Sequence, residues 1–139
     1  MNARQRKKVQ ERFLNAAGFG SPEQLTALLR SGADPNLPDR SGTTPLYLAS
    51  VQGAAGNVRV LLAAGAMPNT ESGDGSEGLP LCGAAVWGHD DSVRELLLAG
   101  ADPNLREDGG SGRTASEWAL VGGHRSTLAL LRAFGARAD

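Results

Sequence analysis

Gly32-Ala33-Asp34-Pro35-Asn36 returns as Gly65-Ala66-Met67-Pro68-Asn69 and as Gly100-Ala101-Asp102-Pro103-Asn104, and a clipped copy, Gly135-Ala136-Arg137-Ala138-Asp139, ends the sequence. The copies stand 33, 35 and 35 residues apart. A fixed period of that length marks a solenoid in which one supersecondary unit is stacked on the next. A leucine-rich run precedes each copy: Leu28-Leu29, Leu61-Leu62, Leu96-Leu97-Leu98 and Leu130-Leu131. Gly follows the last apolar residue and, in three copies, Pro follows three positions later, which is how a helix is stopped.

Alignment on these glycines brings a second phrase into register. Gly42-Thr43-Thr44-Pro45-Leu46-Tyr47-Leu48-Ala49 corresponds to Gly78-Leu79-Pro80-Leu81-Cys82-Gly83-Ala84 and, more weakly, to Gly112-Arg113-Thr114-Ala115-Ser116-Glu117-Trp118-Ala119. Each opens a helix. The interval from Pro45, Pro80 or Ala115 to the following phrase glycine is always 20 residues, whereas the intervals from Asn36, Asn69 and Asn104 to those openings are 9, 11 and 11. The helical hairpins are therefore constant in length and the connecting fingers vary. The longer fingers, Thr70 to Gly78 and Arg106 to Gly112, are Gly-rich and partly acidic, and read as mobile insertions on a binding face.

The Thr-Pro-Leu opening, the Gly88-His89 and Gly123-His124 pairs and the Leu-Leu-x-x-Gly-Ala-Asp-x-Asn ending together resemble the ankyrin repeat, from about Phe13 to the end. The resemblance implies an all-α solenoid of four helix-turn-helix units with β-turn or hairpin-like finger loops. It forms a single domain over 1–139, with units at about 5–36, 39–69, 74–104 and 112–139. The first unit lacks the Gly-x-Thr-Pro opening and begins directly as a helix over about Gln5 to Ala17, an N-terminal cap. Ser21 then N-caps a second helix with Pro22 at its first position, running to about Arg30 with Leu25, Leu28 and Leu29 on the buried face.

Composition agrees. The 139 residues are 40% hydrophobic but only 4% aromatic, as suits units packed through small Ala and Leu faces without one large core. No run approaches the roughly 20 apolar residues of a membrane span, and the basic start lacks the apolar stretch of a secretory signal. One cysteine makes no internal disulfide, so a reducing, cytoplasmic setting is expected. Of the formal net charge of −1, residues 1–12 carry +4, through Arg4, Arg6, Lys7, Lys8 and Arg12 against Glu11. That run reads as the solvated face of an end cap, with Val9, Phe13 and Ala16 turned inward, rather than as a nucleic-acid contact. The acidic remainder disfavours a wide phosphate-binding surface.

Chemistry is sparse. Gly73-Asp74-Gly75-Ser76-Glu77-Gly78 fits a dinucleotide-binding G-x-G-x-x-G, but no strand precedes it and its two acids would repel a phosphate. His89 and His124 recur at the same place in successive units and read as supports for the turn between helices. With Cys82 they lack zinc-site number and spacing. Cys82, standing where the family has His, reads as a small semi-buried packer with no base to activate it. No catalytic, cofactor or metal site is expected.

The ankyrin resemblance implies that the two positions after the inner-helix Ala pair face the concave groove and are free of any role in the fold. They are Gly18 and Phe19, Val51 and Gln52, Val86 and Trp87, and Val121 and Gly122. Apolar side chains there form an exposed stripe for a partner, unless they pack between units instead. Trp118 lies four residues before Gly122, as Gly83 does before Trp87, so the expectation is one aromatic recess bordered by Trp87 and Trp118 and rimmed by Tyr47, Arg113 and Glu77. The expected partner-binding set is Phe19, Arg40, Tyr47, Val51, Gln52, Glu77, Val86, Trp87, Arg113, Trp118 and Val121. The implied function is that of a noncatalytic, monomeric protein-recognition module, an adaptor or an inhibitor. An accessory subunit or enzyme that takes a small molecule in the recess, and a nucleic-acid binder using the basic N-terminus, are the alternatives.

Overall fold

In a computed structural model, which describes residues 1–137, the chain forms eight α-helices. They are α1 (Ala3–Phe19), α2 (Pro22–Arg30), α3 (Pro45–Val51), α4 (Ala55–Ala63), α5 (Pro80–Val86), α6 (Asp90–Leu98), α7 (Ala115–Gly122) and α8 (Arg125–Ala133). Each odd helix packs on the even helix that follows it. The odd helices also stack α1 on α3 on α5 on α7, and the even ones α2 on α4 on α6 on α8. Two layers result. No strand occurs among the described residues, where the β-like pairing is an isolated antiparallel bridge between Ser72 and Gly78. Ala138 and Asp139, the last residues of the clipped fourth phrase, lie outside the described residues.

The recurring phrase is explained by two devices. Gly32, Gly65, Gly100 and Gly135 all have φ near +100° (101°, 98°, 96° and 101°), a left-handed conformation that a Cβ would strain. In each case the Ala after the Gly donates its N–H back into the last turn, Ala33 to Leu28, Ala66 to Leu61, Ala101 to Leu96 and Ala136 to Leu131, at 2.9–3.1 Å. The Asn then links neighbouring units. Asn36 donates to the Gly65 carbonyl (2.9 Å) and accepts from the Met67 N–H (2.8 Å). Asn69 does the same with Gly100 and Asp102, and Asn104 with Gly135 and Arg137.

No such Asn precedes α1, and Gln10 takes the part: its side chain accepts from the Asp34 N–H and donates to the Asp34 carbonyl, both at 2.9 Å. Helix α1 extends two residues beyond each expected end, because Asn2 and Gln5 close a capping box at its start. At its other end Asn57, buried on α4, donates to the carbonyls of Ala16, Ala17 and Gly20. Ser21 N-caps α2 with Pro22 at the first position. Phe13, Leu25, Leu61, Leu96 and Leu131 are fully buried, one or more from each layer. Arg4, Arg6, Lys7, Lys8 and Arg12 are exposed on the outside of α1.

The two histidines do more than support their own turn. His89 Nε2 donates to the Val51 carbonyl (3.1 Å), and His124 Nε2 to the Val86 carbonyl (3.0 Å), each reaching the preceding unit. Each imidazole rests on a glycine with positive φ, Gly53 or Gly88, where a Cβ would come within 2.6 Å of the ring.

Candidate functional site

The fingers close at their bases by matching bonds. Asp39 N–H donates to the Thr43 carbonyl, Ser72 pairs with Gly78 in both directions, and Glu107 N–H donates to the Arg113 carbonyl. The two extra residues of each longer period thus fall inside the turn, where a 3₁₀ turn spans Gly73–Gly75 or Asp108–Gly110. The expectation of a mobile finger from Thr70 to Gly78 needs correction at its base. Ser72, Gly73 and Gly78 are buried, the Gly73 N–H donates to the Gly42 carbonyl of the preceding finger (2.8 Å), and only the tip from Asp74 to Ser76 is exposed.

Side chains of the longer fingers knit the site together. Glu77 accepts from both the Thr43 hydroxyl (2.9 Å) and the Ser72 hydroxyl (2.8 Å), and Ser72 in turn accepts from the Thr44 N–H. One unit later Glu107 stands where Ser72 stood, three residues after the phrase Asn, and accepts from the Leu79 N–H (2.9 Å). Being longer than serine, it also reaches the Trp118 indole, whose Nε1 donates to it at 2.7 Å. Glu107 is only 7% exposed. Sequence reasoning placed it merely in an acidic loop. The usable signal was its register with Ser72 beside Leu79, a position with no hydroxyl of its own to cap α5.

These bonds shape a recess of about 110 Å³ whose walls include Tyr47, Val86 and Trp118, with Cys82 and Gly83 at its base and Glu77 and Glu107 beside them. Gly83 leaves the room: a Cβ would lie 2.9 Å from Val51 Cγ2 and 3.2 Å from Tyr47 Cε1 and would push those side chains aside. The expected pairing of Trp87 with Trp118 does not occur. Trp118 aligns with Gly83, one helical turn before the position of Trp87, and its bond to Glu107 holds the indole at the finger end of α7. Trp87 instead terminates α5 and is 64% exposed, outside the recess. Arg113 is not a wall either. Its guanidinium sits over the Trp118 ring, 4.7 Å from the centroid, a cation–π contact.

Burial pushes the Tyr47 phenol above its ordinary range, and the carboxylates of Glu77 and Glu107 push it the same way. The Cys82 thiol, 2% exposed, is driven far upward by burial first and by Glu107 next, so it stays a protonated packer, more deeply buried than expected. Among the described residues no group of three or more His, Cys, Asp or Glu side chains converges as a metal would require.

At the groove positions, Phe19, Trp87 and Val121 are 69%, 64% and 59% exposed, and Gln52 is exposed as well. Val51 and Val86 are half-buried, Val51 lying against Gly83 of the next unit and Val86 lining the recess. Leu120, not singled out from the sequence, is also exposed. Arg40 lies elsewhere, on a wide groove of about 650 Å³ between the first finger and the N-terminal half of α1, beside Arg6, Lys7 and Asp39.

The family described as ankyrin repeats (3 copies) matches residues 13–107. This chain belongs to the ankyrin repeat family. Such repeats are in general protein–protein interaction modules. The chain is also similar to Potassium channel KOR1 of Oryza sativa subsp. japonica, 45% identical over 51 residues, which are 37% of this chain and 6% of that protein. To ADP-ribosylation factor GTPase-activating protein AGD2 of Arabidopsis thaliana it is 43% identical over 60 residues, 43% of this chain and 8% of that protein. The chain spans less than a tenth of either relative, so the likeness is one of repeats. No helix among the described residues is long and apolar enough to cross a membrane.

Proposed function

We propose that this chain is a noncatalytic, intracellular protein-binding module, a monomeric four-unit domain that acts as an adaptor or inhibitor through its inner helices and finger loops. One observation carries the reading. Phe19, Trp87 and Val121 stand exposed at the C-terminal ends of α1, α5 and α7, while the alanines two residues before them, Ala17, Ala85 and Ala119, are buried. The fold uses the alanines and leaves the large side chains to solvent. Large apolar residues aligned on an exposed face mark partner sites.

The small-molecule alternative is weakened by size, since ligand sites commonly span about 300–1,000 Å³ and the recess holds about 110 Å³. The test is affinity capture from the native cell with the wild-type chain and with Trp87→Ala, followed by binding measurements on the purified partner. A partner held equally by both proteins would overturn the assignment of this face. Affinity for generic duplex DNA with a steep salt dependence, lost on removing residues 1–12, would support nucleic-acid binding instead.

A further inference from the structure

The recess between Tyr47 and Trp118 is lined by two carboxylates, Glu77 and Glu107. The ion pairs among the described residues are Arg59 with Glu95, Arg94 with Asp91 and Arg106 with Glu117. Neither Glu77 nor Glu107 takes part in one. Glu77 is satisfied only by the hydroxyls of Thr43 and Ser72, and Glu107 by the N–H groups of Leu79 and Trp118. A carboxylate offers about four acceptor positions, so both retain capacity. Burial first, and carboxylates after it, push the two weak acids of the recess upward, Glu77 and Glu107 acting on Tyr47 and Glu107 on Cys82. The Arg113 guanidinium is stacked on Trp118 and forms none of these ion pairs.

We infer that this recess receives a primary alkylammonium, the head of a lysine side chain presented by the bound protein. The proposal rests on the protein-binding reading above and names the partner chemistry at one point of that surface. Aromatic walls attract cations through their ring quadrupoles, most strongly where water is excluded, and Trp118 already holds one. Unpaired carboxylates supply charge-assisted acceptors. Volume decides between a head group and a whole ligand. About 110 Å³ equals three to four shares of liquid water at about 30 Å³ each, which suits an ammonium with its last methylenes. Glu77, half-buried at the finger base, is the acceptor an incoming ammonium meets, while Glu107 lies deeper and is engaged with the fold.

The test uses the full chain carrying Trp87→Phe, so that Trp118 is the one indole left to report. Butylammonium chloride is titrated against it, with 1-butanol and sodium chloride at matched concentrations as controls on the same folded protein. A saturable change in Trp118 emission is expected with butylammonium alone. Glu77→Gln, whose amide oxygen still accepts from Thr43 and Ser72, should weaken it at least about tenfold, with an unchanged circular dichroism spectrum. An equal response to 1-butanol, no saturation, or no loss in a folded Glu77→Gln protein would overturn the proposal. Capture of a partner without a butylammonium response would defeat this inference and leave the binding-module reading standing. A butylammonium response without any partner would do the opposite.

Discussion

The Trp118 indole donates to the Glu107 carboxylate at 2.7 Å, and the same carboxylate accepts the Leu79 N–H at 2.9 Å. One finger residue thereby joins α5 of one unit to α7 of the next. Because Leu79 supplies no capping hydroxyl, Glu107 is the group that satisfies this buried N–H from outside the helix. Glu107→Ala would strand two donors, and a buried unsatisfied donor costs about 1–3 kcal/mol. Urea unfolding is expected to show a loss of that size or somewhat more, with Glu107→Gln recovering part of it. A midpoint unmoved by Glu107→Ala would mean that the bond is not formed in solution.

The even-helix layer has its own measure. Leu96 on α6 is fully buried, equivalent in register to Leu61 and Leu131, and trimming such a side chain to Ala costs about 2–5 kcal/mol. Leu96→Ala is expected to lower the thermal midpoint accordingly. Stability in a repeat array is carried by nearest-neighbour interfaces, so hydrogen exchange should quicken in α4 and α8 as well as in α6. Exchange that changes in α6 alone would contradict the coupling.

Alkaline pH tests the recess from another side. The Cys82 thiol is raised in the folded chain by burial and by Glu107, while in the unfolded chain it ionises near its usual value of about 8.5. Below that pH both states hold the proton and the contribution to stability is complete. Above it only the unfolded state releases the proton, so stability falls as pH rises, by up to about 1.4 kcal/mol per pH unit. Tyr47, raised for similar reasons, adds to the slope above about pH 10. Urea midpoints measured from pH 7 to 10 should decline for the wild type and decline less for Cys82→Ala. Parallel curves would show that the thiol ionises freely in the folded protein.

The parts legible in the sequence were those fixed by local chemistry repeated at a period. Gly32 and its copies must reverse a helix, Leu61, Leu96 and Leu131 must be buried, and Ser21-Pro22 must start α2; the structure has each where the pattern put it, while Leu28 and Leu29, expected on the buried face of the end unit, are only partly covered there. What stayed hidden depends on where a side chain ends up after stacking. Gln10 shows no sign in sequence that it will bond to the Asp34 backbone, nor Glu107 that it will leave its loop for an indole. Trp87 and Trp118 were expected to share a recess because i, i+4 spacing puts residues on one face. That spacing says nothing of the helical turn that separates them along the stack.

The loop tips and loop bases should respond oppositely to shortening. Gly75 has no heavy atom within 4 Å of where its Cβ would be, and Asp74 is exposed at a positive φ of 49°. Deleting Asp74 and Gly75 restores the shorter turn, and loop length enters closure entropy only logarithmically. The thermal midpoint is expected to stay within a few degrees. Ser72→Ala, which removes the acceptor for the Thr44 N–H and a donor to Glu77, should cost about 1–3 kcal/mol. A deletion more damaging than Ser72→Ala would show that the tip, not the base, holds the fingers together.

Trp87 separates function from fold. It is 64% exposed and lies outside the recess that Trp118 lines, so Trp87→Ala should alter stability by less than about 0.5 kcal/mol, the usual range for surface substitutions. Trp is also the residue most enriched among interface hot spots, where truncation costs about 2 kcal/mol or more. Affinity for the purified partner is therefore expected to fall at least about tenfold, equivalent to about 1.4 kcal/mol, with the melting curve unmoved. Trp118→Ala should instead lower both quantities, since its indole is bonded to Glu107 and stacked under Arg113. The pair is read by calorimetry for binding and by thermal melts for stability. Unchanged affinity in a folded Trp87→Ala protein would remove this side chain from the interface and shift the binding surface toward the fingers.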